Sequence, residues 1–404
     1  MAKKKTVQKA PPSRRETTKS ANTPLKRKRP ITKAARKPVV KKTVQKSTRK
    51  ASVVKTIRKA PAKKTVRSAT AKKRALVHHK HVEHTHKPLL FGAHRPLVYN
   101  RPLLMLPFDH RASFSRDILG ITTKLTPEQH ARITELKDIV YHGFRLVAND
   151  MPDRISYALL ADPEYAAHIL HSARDAGFTV AMPVEKSGQE EFQFDTPEWR
   201  SAIEQVEPHI VKALVRYNPR GDAAMNKRQL TRLKQVADYC HKTHRVFLFE
   251  LLVPPTSAQK KSYGEKYDAA LRPALSAQAI QEVHAAGVEV DIWKIEALPR
   301  EDWAAAIAAT KHTPRHTQPV FIVLGRNAPV ATVEGWLRDA APHDEAAGFA
   351  VGRTVFYEPL KRYVAGSITK EIAARQIAAQ FRHFAGVWRD AKKTHIPRHR
   401  RVHE

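Results

Sequence analysis

The chain has 404 residues, with 73 Lys and Arg against 38 Asp and Glu, a formal net charge of +35. That length holds a (β/α)₈ barrel of roughly 250–300 residues plus a further segment, and a single cysteine, Cys240, excludes an intramolecular disulfide framework. No apolar run reaches the ~20 residues of a membrane span, and the basic N-terminus lacks the apolar stretch of a secretory signal, so no membrane contact and a cytoplasmic location are expected.

The charge is unevenly distributed. Residues 1–100 hold 31 of the 73 basic side chains and only two acids, Glu16 and Glu83, whereas the remainder is nearly balanced. Residues 1–75 contain no aromatic residue and no glycine, and units such as Lys4-Lys5-Thr6-Val7-Gln8-Lys9 recur as Lys41-Lys42-Thr43-Val44-Gln45-Lys46 and Lys63-Lys64-Thr65-Val66-Arg67-Ser68. Such a segment buries too little apolar surface to offset chain entropy, and it reads as a long disordered basic tail. Its charges suit non-specific contact with DNA, RNA or another polyanion through counterion release. In composition it resembles the Lys/Ala/Pro-rich tails of linker-histone-like bacterial proteins. A linker, 76–102, follows, and five imidazoles, His78, His79, His81, His84 and His86, fall within nine of its residues. Without a rigid scaffold they amount to an adventitious metal binder, so no metal site is assigned.

From Leu103 the pattern changes to short apolar runs alternating with helix-periodic stretches. The predicted strands are Leu103–His110, Ile155–Asp162, Phe178–Lys186, Ile210–Pro219, Val246–Pro255, Asp291–Leu298, Pro319–Asn327 and Gly348–Phe356. Predicted helices include Thr126–Arg145, Pro197–Val206, Lys227–His244, Ser276–Ala286, Arg300–Thr310, Val330–Ala341 and a closing Thr369–Asp390. Ser276 and Thr369 are expected N-caps, Gly177 and Gly287 expected C-terminal stops, and Cys240 a buried helical thiol. Eight β-then-α units in a row predict a (β/α)₈ TIM barrel over 103–392, with a basic tail at 393–404.

Barrel chemistry sits at the C-terminal ends of the strands. Strand one ends in Asp109-His110-Arg111, strand three in Glu185-Lys186, and strand four carries Lys212 and Arg216. Strand alternation places Leu248, Glu250 and Leu252 on one face of strand five, and Ile292, Lys294 and Glu296 on one face of strand six. A lysine among apolar walls and other cations gives up its proton more easily and can attack a ketone. A carboxylate must then shuttle protons, for which Glu250 and Asp109 are the candidates. Gly325-Arg326 and Gly352-Arg353 follow strands seven and eight, where these barrels hold phosphate. Only His110 among the histidines lies at a strand end, which speaks against a zinc-dependent reaction.

Several runs resemble one known domain: Phe108-Asp109-His110-Arg111, Pro183-Val184-Glu185-Lys186-Ser187-Gly188, Leu214-Val215-Arg216-Tyr217-Asn218-Pro219, Phe249-Glu250-Leu251-Leu252-Val253-Pro254-Pro255-Thr256, Asp291-Ile292-Trp293-Lys294-Ile295-Glu296 and Gly348-Phe349-Ala350-Val351-Gly352-Arg353-Thr354. This is the 2-deoxy-5-keto-D-gluconate 6-phosphate aldolase-type domain, often fused to a sugar kinase in inositol catabolism, and more distantly the class I tagatose-bisphosphate aldolases. The resemblance covers about residues 103–390. It implies a cofactor-free class I aldolase, with Lys294 forming the Schiff base, Glu250 shuttling protons and Lys186 as a second active-site lysine. It further implies Gly352-Arg353 as phosphate ligands; Gly325, Arg326, Arg216 and Arg111, by their places at the strand ends, are further candidate substrate or phosphate contacts. Two departures stand out: strand two ends Asp162-Pro163-Glu164-Tyr165-Ala166 instead of the family's Asp-Glu-Gln-Tyr-Gly-like run, and the kinase half is replaced by the basic tail. The expected partner is a phosphorylated sugar, homo-oligomerisation stays open, and the alternative is a polyanion-associated protein whose barrel has altered or lost activity.

Overall fold

A computed structural model of the chain describes residues 99–310 and 317–395. The expectations for residues 1–75, for the histidine-rich stretch up to residue 98 and for residues 396–404 lie outside the described residues.

Eight parallel strands close into a barrel in sequence order. They are β1 (Leu103–Pro107), β2 (Tyr157–Leu160), β3 (Thr179–Pro183), β4 (Ile210–Arg216), β5 (Val246–Leu252), β6 (Ile292–Ile295), β7 (Val320–Leu324) and β8 (Ala346–Ala350). The expected (β/α)₈ barrel is therefore the fold observed; the first seven predicted strands are present in a shorter form, and the eighth is shifted, starting at Ala346 instead of Gly348. The helices are α1 (Ala112–Leu119), α2 (Pro127–Ala148), α3 (Pro163–Asp175), α4 (Trp199–Val206), α5 (Ala223–Lys242), α6 (Ser257–Tyr263), α7 (Tyr267–Ala270), α8 (Arg272–Ala285), α9 (Trp303–Ala308), α10 (Val330–Ala340), α11 (Arg353–Val364) and α12 (Lys370–His395).

The interior of the barrel begins with an apolar floor in which Leu103, Met105, Leu160, Leu248, Ile292 and Ile322 pack together, all but inaccessible to water. Around the outside, the helices bury a second and larger apolar layer. Fully burying one such Leu or Ile contributes roughly 1.5–3 kcal/mol, so the two layers supply most of the force that closes the barrel. Cys240 is buried within α5, and burial pushes its thiol upward, away from the reactive range.

Several boundaries differ from the sequence expectation. Strand eight stops at Ala350, and Arg353 opens α11 rather than continuing the strand. The reason is local: a Cβ at Gly352 would stand 2.1 Å from the Pro107 carbonyl oxygen, so the chain turns there against the end of β1. Ser276 is not an N-cap. It lies one turn inside α8, and its hydroxyl donates to the Arg272 carbonyl. Thr369 does accept from the Ile372 amide at the start of α12. Gly177 and Gly287 follow helix ends with φ of +81° and +73°, as stop signals do.

Candidate active site

The alternation of the strands builds the site. On β4, β5 and β6 the floor residues Ile210, Leu248 and Ile292 point inward, so two residues later Lys212, Glu250 and Lys294 point inward one layer higher. Glu250 and Lys294 are direct register partners across β5 and β6. Asp109 and Glu185 complete this layer from the segments just past β1 and β3. The backbone of Glu185 is held by an antiparallel bridge to Phe194.

The resulting cluster is nearly sealed from water, and Lys212, only 2% exposed, is its centre. Its Nζ lies 2.9 Å from Asp109 Oδ2, 2.5 Å from Glu185 Oε1 and 2.9 Å from Glu250 Oε2. The last contact is an ion pair without hydrogen-bond alignment, since Glu250 Oε2 has no hydrogen-bond partner among the described residues. The other carboxylate oxygen, Glu250 Oε1, is 2.9 Å from Lys294 Nζ. One ammonium thus touches three carboxylates, and one of those carboxylates bridges it to a second ammonium.

Electrostatics sort these groups. Burial works against the Lys212 ammonium, but Asp109, Glu185 and Glu250 together hold it well above the usual lysine range. Each opposite charge within about 4 Å contributes roughly 4 kcal/mol at an effective dielectric of about 20, and three of them outweigh a desolvation cost of several kcal/mol. Burial likewise pushes the carboxyls up. For Asp109 it is overcome by Lys212, His110 and Lys294, and for Glu250 by Lys212 and Lys294, so both sit below their ordinary range. Glu185 goes the other way, because burial is reinforced by Asp109 and Glu250 and only Lys212 opposes it. Burial brings the His110 imidazole down to about 4, aided by Arg353 and Lys294.

Above the cluster opens a cavity of about 640 Å³, lined by Asp109, Glu185, Lys212, Glu250 and Lys294 at its base and by Lys186, Arg216, Arg326 and Arg353 toward its mouth. Of the residues singled out in the sequence, Lys294, Glu250 and Asp109 come together. Lys186 does not join them: it is exposed on the β3–α4 segment, and the buried second lysine is Lys212, one strand further on. Lys186 lies three residues past the end of β3 and reaches only the cavity mouth, a position that its motif does not encode. Glu185 was also passed over as a site residue, although it precedes Lys186 in the same motif.

The predicted anion-binding residues divide. Arg353 stands at the first position of α11, lines the cavity and has no hydrogen bond or ion pair among the described residues. A helix start and an unpaired guanidinium together suit an anion. Arg326, held at φ 48°, is already engaged, 2.6 Å from Asp268 Oδ2 and 3.2 Å from Glu296 Oε1. Arg111 is buried and ties two loops, donating to Asp195 Oδ2 at 2.6 Å and to the Glu185 carbonyl at 2.5 Å. Arg216 donates to the Gln189 carbonyl at 2.6 Å. Gly325 leaves room for Val351, and Gly352 for the end of β1.

A family model described as "Uncharacterized protein conserved in bacteria (DUF2090)" matches residues 65–392. No curated protein matches the sequence. Among solved structures, the chain is similar to an archaeal fructose 1,6-bisphosphate aldolase, with 12% identity and a TM-score of 0.44 over 71% of this chain and 94% of that one. A protein of Corynebacterium glutamicum, Cgl0159, is 16% identical with a TM-score of 0.44, covering 69% and 86% of the two chains. A Schiff-base-forming fructose-1,6-bisphosphate aldolase is 14% identical with a TM-score of 0.43, covering 71% and 94%. At these scores the likenesses carry no weight for the chemistry, which rests on the cavity.

Proposed function

The chain belongs to the DUF2090 family, and from that premise we propose that it is a class I aldolase acting through a Schiff base on Lys294. The observation that carries this reading is the continuous chain Lys294–Glu250–Lys212, with 2.9 Å at each link, on the base of a substrate-sized cavity.

The roles follow from the charges. Lys294 first passes a proton to the Glu250 carboxylate it touches, its free amine then attacks a ketone carbon to give a carbinolamine, and loss of water gives an iminium. The proton needed to expel that water, and the one released from nitrogen, pass through Glu250, whose carboxylate touches Lys294. The iminium then accepts the electron pair of the breaking C–C bond. Asp109, kept ionised, takes the proton from the hydroxyl that becomes the aldehyde. The persistent positive charge of Lys212 stabilises oxyanion character beside it, already oriented by three carboxylates. Arg353 and the start of α11 receive the substrate's phosphate. Gly325 and Arg326 flank it, Arg111 and Arg216 brace the opposite wall, and Lys186 meets the substrate at the mouth.

For the substrate we take a phosphorylated keto sugar, 2-deoxy-5-keto-D-gluconate 6-phosphate or a close relative, cleaved to dihydroxyacetone phosphate and malonic semialdehyde or another aldehyde. This choice rests on the motifs of the sequence and on the lone guanidinium of Arg353. The decisive experiment incubates the protein with dihydroxyacetone phosphate or malonic semialdehyde, reduces with borohydride and weighs the product. An adduct that is lost in Lys294→Ala is expected. No adduct with either compound, or one that persists in that variant, would sink the mechanism.

The basic segment 1–75 serves in this reading as a separate, non-specific polyanion arm, supported by its 31-to-two excess of basic over acidic residues through position 100. DNA binding should then fall steeply with salt and vanish when residues 1–90 are removed. A shallow salt slope, or binding unchanged by truncation, would end that part of the proposal.

A further inference from the structure

Outside the catalytic layer lies a second buried ion pair. Lys137, in the middle of α2, and Asp162, just past β2, are both completely buried, and the ammonium donates to the Asp162 carboxylate. Phe114 and Tyr165 flank it, with their ring centres 5.3 and 5.1 Å from Nζ. A sealed pair of this kind is poor value for stability alone, because two well-packed apolar side chains often serve as well or better. Its second donor contact is the informative one: Lys137 Nζ also donates to the main-chain carbonyl of His110, at 2.9 Å.

That carbonyl is the centre of the short segment between β1 and α1. Asp109, on one side, grips Lys212. Arg111, on the other, holds the Glu185 carbonyl and Asp195. The His110 ring itself lines the cavity. Asp162 in turn caps α3, accepting from the Tyr165 amide at 3.0 Å, so the anchor is fixed to the barrel wall and not to a mobile loop. Through two donor contacts one outer-helix lysine therefore joins the ends of β1 and β2.

We propose that Lys137, anchored by Asp162, is a positioning residue that holds the Asp109–His110–Arg111 main chain in register with the catalytic layer. The proposal rests on the Schiff-base reading for its kinetic consequence, since it acts through Asp109. Glu250 and Lys294 stand on β5 and β6, across the barrel, and are not held by the strap. The strap accordingly serves the C–C bond step and leaves iminium formation alone.

The test uses the full chain and two variants. Lys137→Met strands a buried carboxylate and is expected to lower the melting temperature sharply. Lys137→Met/Asp162→Asn removes both charges, keeps a capping side chain and is expected to regain most of that temperature. In the double variant, borohydride trapping with dihydroxyacetone phosphate should stay within about threefold of wild type. Condensation of that donor with malonic semialdehyde should fall on the order of 100-fold, the scale of a misplacement of about 1 Å. Amide hydrogen exchange across residues 108–115 should quicken in the ligand-free double variant. Wild-type exchange together with a wild-type condensation rate would leave the pair purely structural and overturn the proposal. A double variant that cannot fold also counts against it, because a positioning role requires a fold that stands without the pair. If the wild-type chain itself forms no adduct, the Schiff-base reading falls and takes the kinetic role with it. An adduct with unaltered condensation in the double variant removes this proposal alone.

Discussion

The interior of the barrel has two storeys made from the same strands. Ile210, Leu248 and Ile292 form part of an apolar floor, and Lys212, Glu250 and Lys294, two residues further along β4, β5 and β6, form a charged one above it. A step of two residues keeps the side chain pointing inward and changes only its height. The floor is what a barrel needs in order to close. The upper storey is a liability for folding, since it removes five ionisable groups from water, and it holds only because each charge meets an opposite one. The difference separates residues kept for stability from residues kept for chemistry.

Substitutions on the two storeys should therefore fail in opposite ways. Lys294→Met should abolish the borohydride adduct while leaving a folded barrel, as read by mass spectrometry beside circular dichroism. Glu250→Gln should lower the condensation rate roughly 10²–10⁴-fold, the usual worth of a proton-transfer group. Leu248→Ala, one step down the same strand, should cost about 2–5 kcal/mol in denaturant unfolding and leave trapping of the remaining folded protein unchanged. If Leu248→Ala abolished trapping without unfolding, or Lys294→Met collapsed the fold, the two storeys would not be functionally distinct.

Much of this was legible in the sequence, and the limits were physical. Short apolar runs alternating with helical stretches marked out the eight strands, because a strand covered on both faces must be apolar or paired along its length. Glu250 and Lys294 stood out as charges inside such runs. Lys212 carried the same signal in Ile210-Val211-Lys212, yet it drew less attention than Lys186, whose place in a recognisable motif outweighed its position beyond the end of β3. Glu185 needed the bridge to Phe194, a contact between a strand end and the loop that folds back on it, which no local pattern encodes. The same holds for Arg326. Its Gly-Arg motif reads as an anion site, but its engagement with Asp268 and Glu296 arises from segments 58 and 30 residues away in the chain.

That last contrast yields a smaller effect. Arg353 has no ion pair among the described residues, so Arg353→Gln should cost a phosphate-bearing donor about 1.5–3 kcal/mol of binding, the range of a hydrogen bond to a charged group. Isothermal titration with dihydroxyacetone phosphate would read it. Arg326→Gln should cost less, because its charge is already shared by two carboxylates. An equal loss in both variants would make Arg326 a ligand of the same rank.

The subtlest expectation lies inside the charged storey, where Asp109 and Glu185 touch the same ammonium but are pushed apart. Asp109 sits below its ordinary range, so the stability it contributes is present above the unfolded carboxylate pKa and is lost as pH falls toward the folded value. Glu185 sits above its ordinary range because of burial and its carboxylate neighbours, so the folded protein holds that proton more tightly than the unfolded chain does. Its contribution is greatest below the unfolded carboxylate pKa of about 4.3 and declines as pH rises through the folded value. Glu185→Gln keeps the shape and removes the titration. Asp109 and Glu250 remain in both proteins, and their opposite pH dependence largely cancels from the comparison. The melting temperature of Glu185→Gln relative to wild type should therefore climb between pH 4 and pH 8. A flat or falling difference would mean that Glu185 is ionised alongside its neighbours, and that Lys212 alone balances all three carboxylates.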